Sequence, residues 1–120
     1  MPVTKARSTL QSSASNSAGG TTTGSWVDVS GSYAISVPFL FTNGGTGPTI
    51  NCRMRVQAAT DGSGTGLMTV ATAFGAYGNS AVAEGSLDLP PGVQFIRTVF
   101  DSNTGQAVTV AAVAERITGV

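Results

Sequence analysis

A chain of 120 residues can hold one domain with its own hydrophobic core and is too short for two. Its six basic and six acidic residues cancel, and only 10% of positions are charged, which excludes the basic excess or stripe of a nucleic-acid-binding protein. Histidine is absent, so Ser–His–Asp and Cys–His chemistry is excluded and the commonest metal ligand is missing.

The rest of the composition is that of a β protein. Apolar residues make up 41% of the chain, enough for a core, and there are 16 glycines. Good helix formers are scarce, with one Lys and two Glu, while small and β-branched residues favour strands joined by tight turns. The single Cys52 rules out an internal disulfide. The opening Met1-Pro2-Val3-Thr4-Lys5-Ala6-Arg7 lacks the apolar run of a secretory signal, and no stretch approaches the ~20 apolar residues of a membrane helix. Synthesis and folding in the cytoplasm, with no membrane partner, are expected. Such sparse charge fits a surface covered by partners, or a neutral surface rich in Ser and Thr.

In chain order, residues 1–24 stand apart. Ser8 to Gly24 reads STLQSSASNSAGGTTTG, with Leu10 as its one sizeable apolar residue and no hydrophobic period. Such a segment cannot bury enough to offset its ordering entropy. Residues 1–24 are therefore expected to form a flexible N-terminal arm, either a plain tail or one that lies on a neighbouring subunit. Lys5 and Arg7 are its only charges.

From residue 25 a period of two takes over, which predicts a β domain over residues 25–120. Residues 25–30 give a short strand holding Trp26. Residues 33–42 give a longer one, with Tyr33, Ile35, Val37, Phe39 and Phe41 on one face. Pro38 lacks an N–H and predicts an edge position or a bulge there. After the turn NGGTGP, residues 49–58 place Ile50, Cys52, Met54 and Val56 on a core face and Asn51, Arg53, Arg55 and Gln57 on a polar one. The turn DGSGTG follows, then a strand of broader apolar mix over 67–74, a loop over 75–80, and a weaker strand over 81–89 closed by Pro90-Pro91-Gly92. Residues 93–100, the turn DSNTGQ and residues 107–117 complete the chain. About seven regularly spaced strands predict an all-β fold, an antiparallel β-sandwich or jelly-roll-like barrel.

A search for chemistry finds none. Cys52 falls on the apolar face of its strand and reads as a buried structural thiol. Asp61 and Asp101 fall in turns, where Asp bonds the local backbone. Glu84 and Asp88 share a strand face but lie ~13 Å apart, wide for a glycosidase pair. DGSGTG has one acid where a calcium loop needs several, and no Gly-rich stretch opens a helix or carries a P-loop lysine. No catalytic, metal or cofactor-binding residue is assigned, and no cofactor is expected. Arg53 and Arg55 point the same way, as a solvated face or as a polar seam for acids on another subunit. Trp26 reads as a plug at the end of the core or as an interface anchor. The candidate interface residues are thus Lys5, Arg7, Leu10, Trp26, Arg53 and Arg55.

The run Thr42-Asn43-Gly44, Gly47-Pro48-Thr49, the alternating strand through Cys52 and Val56, and Asp61-Gly62 together resemble a class of small tailed-bacteriophage structural proteins. Leu89-Pro90-Pro91-Gly92-Val93 and the stretch from Asn103 to Val110 resemble the second half of that class. The resemblance implies a virion protein similar to capsid decoration (cement) proteins, which are often trimeric β-sandwiches without a catalytic site. It implies the major capsid protein or other virion proteins as partners and a homo-oligomer, with a homotrimer favoured; from charge and hydropathy, no nucleic acid or membrane is expected. Rival readings are a head-tail connector, neck or tail-base protein, and a carbohydrate-binding sandwich, which needs an exposed aromatic platform to which only Trp26, Tyr33 and Tyr77, in three different segments, could contribute. An enzyme is the reading that the residues support least.

Overall fold

The computed structural model describes residues 3–119. The described residues hold nine strands and no helix: β1 (Thr4–Asn16), β2 (Thr22–Thr23), β3 (Val27–Asp28), β4 (Ala34–Asn43), β5 (Arg53–Ala59), β6 (Met68–Phe74), β7 (Val82–Leu89), β8 (Phe95–Asp101) and β9 (Val108–Gly119). They form two antiparallel sheets packed as a sandwich. The first has the order β1-β9-β4-β7; the second has the order β2-β8-β5-β6, with β3 also pairing β8.

Alternation explains the core. Ile35, Val37 and Phe41 point inward from β4, Met54 and Val56 from β5, and Val108 and Val110 from β9, all nearly fully buried. Phe41 packs edge to face on Phe100 of β8, with ring centroids 5.6 Å apart, and so ties one sheet to the other. A Cβ at Gly75 would come 3.1 Å from the Phe41 ring, which explains a glycine where the chain leaves β6.

The seven strands expected from periodicity are all present. The expected flexible arm is not: Thr4–Asn16 is a strand hydrogen-bonded along β9, and Thr22–Thr23 adds to β8. Docking on a ready-made sheet supplies backbone hydrogen bonds that the segment cannot make alone, so a Ser/Thr-rich sequence orders with little apolar surface. Leu10 enters the core at 3% exposure. Asn16 and Asn103 are both buried and bonded side chain to side chain, while Asn103 Nδ2 also donates to the Asn16 and Gln106 carbonyls and Thr22 Oγ1 donates to Asn16 Oδ1. This network locks the 16–22 connection to the turn before β9.

Two local expectations also change. Pro38 sits in β4, a central strand and not an edge. The ladder to β7 runs unbroken through it, and the ladder to β9 is interrupted at Val37 and Pro38, where the ring supplies no N–H. Ile50 is 48% exposed because β5 begins only at Arg53; Ile50 makes an isolated bridge to Thr104.

Candidate assembly interface

On the outer face of the second sheet, strand register brings Arg53 beside Asp101 and Phe74, and Arg55 beside Val99 and Thr72. Asp101 is expected in a turn from its sequence context, yet it ends β8, one strand away from both arginines. Arg53 Nε donates to Asp101 Oδ1 at 2.9 Å, and Arg53 and Arg55 Nη2 donate to Oδ2 at 3.1 and 2.8 Å. Burial pushes the Asp101 carboxyl up, but the hydrogen bond from Arg53 and the charges of Arg55 and Arg53 outweigh it and hold it below its ordinary value. The arginine pair thus meets its acid within its own chain. Arg97, on the same face, donates to Gln57 Oε1 and lies 4.5 Å over the Trp26 ring. Trp26 is half-buried under that guanidinium, against the turn at Gly64.

The other candidates are scattered. Lys5 and Arg7 alternate along β1 on the outer face of the first sheet, where Arg7 pairs with Glu115 of β9. Leu10 faces the core. Cys52 is buried, and desolvation pushes its thiol up to about 11, with a backbone hydrogen bond at Arg53 pulling the other way. A shallow groove of about 590 Å³ crosses the first sheet over Lys5, Arg7, Ser36, Asp88 and Glu115. It holds charges of both signs.

The feature that sequence reasoning missed is the side of the sandwich formed by β6 and β7. These are the edge strands of the two sheets, and they lie next to each other. Met68 is 60% exposed, Phe74 57%, Tyr77 60% and Val82 56%, and Leu67 is also exposed. β6 reads MTVATAF, with no charge and no proline. Edge strands in solitary proteins are usually guarded by charge, proline or bulges, as β1 is by Lys5, Arg7 and its register shifts. β6 has one bulge, between Val56 and Gln57 of its partner, and no other guard. The signal in the sequence was the broad apolar mix of 67–74, which lacks the clean polar face of 53–57.

Trp26, Tyr33 and Tyr77, the three residues that could contribute to an aromatic platform, are not brought together. Tyr33 precedes β4, while the loop holding Tyr77 is tied to the other end of β4, where Asn43 Nδ2 donates to the Ala76 and Gly78 carbonyls. A strand of this length separates them by roughly 30 Å. Trp26 lies on the second sheet.

No protein-family model matches the sequence, and no curated protein matches it. Among solved structures, the fold is similar to a chain of infectious bursal disease virus, Gx strain, with a TM-score of 0.61, 11% identity, and coverage of 98% of this chain and 33% of that one. A chain of the VP2 subviral particle of the same virus gives 0.55 at 13% identity, with 96% and 33% covered. A family 16 carbohydrate-binding module gives 0.50 at 10% identity, with 83% and 71% covered. This chain therefore spans about a third of the virus chains it matches, and at these identities the likeness is one of fold: a two-sheet antiparallel sandwich shared with proteins of virus particles.

Proposed function

We propose that this chain is a structural protein of a virus particle that acts by non-catalytic contact with neighbouring protein subunits, and that it decorates and stabilises an assembled shell. The observation that carries this reading is the β6 edge and its surroundings: an edge strand without charge or proline, with Met68, Phe74, Tyr77 and Val82 exposed on a chain with only 10% charged residues. The similarity of fold to chains of infectious bursal disease virus supports it. A protein that binds assembled shell better than free subunits stabilises the shell by that difference in affinity. Repetition over many equivalent sites makes modest contacts collectively strong.

The test is to quantify this protein by mass spectrometry in purified particles from cells that produce it. A copy number matching the shell's repeated symmetry sites supports decoration. A copy number matching a single ring points to the neck or tail base and overturns the decoration role. Absence from particles overturns the whole reading. The similarity to a carbohydrate-binding module supports a second reading, glycan binding by the exposed Phe74 and Tyr77. Glycan-array binding that is lost in Tyr77→Ala would favour it.

A further inference from the structure

The first sheet carries opposite charges at its two edges. Register sets Arg7 opposite Glu115, Glu115 opposite Ser36 and Ser36 opposite Asp88, so these positions form one row across the outer face. Lys5 and Arg7 stand on β1, which has no acid; Glu84 and Asp88 stand on β7, which has no base. Three strand spacings separate the Arg7 and Asp88 columns by roughly 14 Å, beyond the ~8 Å screening length of physiological salt. Among the described residues, Lys5, Glu84 and Asp88 have no ion-pair partner.

Strand direction alternates across β1-β9-β4-β7, so β1 and β7 run opposite ways. If a second copy is set beside the first with its sheet in the same orientation, its β1 is therefore antiparallel to β7 and continues the sheet. We propose that the chain associates with further copies of itself head to tail, the basic β1 edge of one copy pairing with the acidic β7 edge of the next. With Arg7 of the incoming copy opposite Asp88, Thr9 falls opposite Ser86, and Arg7 lies between its own Glu115 and the next copy's Asp88. The register shifts of β1 fall between Thr4 and Lys5 and again after Thr9, which leaves Lys5 to Thr9 in regular register, and β7 is regular against β4 from Val82, opposite Thr42, to Leu89, opposite Ile35. Such a contact uses two different surfaces, so it closes into a ring or runs on as a fibre.

Light-scattering mass of the purified chain tests this without any shell. A multimer is expected at about 0.05 M salt and dissociation at about 1 M, where charges are screened over ~3 Å. Lys5→Glu with Arg7→Glu makes both edges acidic, and Glu84→Lys with Asp88→Lys makes both basic. Each variant should associate about ten-fold or more weakly than the parent, and an equimolar mixture of the two should assemble again. Glu84 and Asp88 are exposed and have no ion-pair partner among the described residues, so the second variant should keep the parent's circular-dichroism melt. A chain that stays monomeric at every concentration overturns the proposal. So does an assembly that neither variant weakens, as self-pairing through β6 would give. Either failure leaves the particle reading standing, and absence from particles would leave the self-association standing.

Discussion

Asp101 accepts hydrogen bonds from Arg53 and Arg55 at once, so a single carboxylate is shared by two guanidiniums on the second sheet's outer face and offsets one of their two charges. Its side chain is 14% exposed, against 37% and 30% for the arginines. Asp101→Asn leaves two half-buried guanidiniums side by side with no counter-charge. Charge-assisted hydrogen bonds contribute ~1.5–3 kcal/mol each, so a loss of about 2 kcal/mol in urea unfolding at neutral pH is expected. The carboxyl titrates below its ordinary value in the folded protein, so its stabilisation is complete above the unfolded value near 4 and is lost as pH falls through the folded one. The parent should lose its margin over Asp101→Asn in that acid window. An equal margin at all pH values would mean that the carboxylate's charge is not what the variant removed.

At the scale of elements, alternation located each strand whose sequence carries a steady apolar row, from β3 to β9. It failed for β1 because Ala6, Ser8, Leu10 and Asn16 offer almost nothing apolar to count. What orders β1 is β9, about a hundred residues later, whose outer backbone edge it covers, and the buried Asn16–Asn103 contact closes the connection. Neither partner is visible from within residues 1–24. The same distance hid Asp101 from Arg53, 48 residues earlier. The interface candidates were charges and a tryptophan, whereas β6 exposes side chains that look like core in a one-dimensional reading. Leu10→Ala tests the role of β1. A disordered arm would tolerate it, while the buried position predicts a loss of about 2–4 kcal/mol in urea unfolding. Removal of residues 1–16 should cost more, because it also strips the cover from β9 and leaves buried Asn103 without its main partner.

As a whole, the molecule is a slab with extents of 47 × 32 × 18 Å, and its long sides differ in character. The β1 side is polar and basic; on the opposite side the β6 edge is apolar, while Glu84 and Asp88 stand on β7. If the apolar β6 edge is the contact that the proposed role requires, making it polar should separate folding from assembly. Met68→Lys with Phe74→Lys adds two charges to an edge strand at positions that are 60% and 57% exposed. Exposed substitutions usually change stability by no more than about 0.5 kcal/mol, so the urea midpoint should hardly move. Incorporation into particles, measured against the parent in the same cells, should fall about ten-fold or more, since a lysine carried into an apolar contact loses its hydration without gaining a partner. The charge polarity of the first sheet is untouched by these changes, so head-to-tail association of the purified variant should persist. Full incorporation of a folded double variant would remove the β6–β7 side as the contact and move the search to the groove across the first sheet.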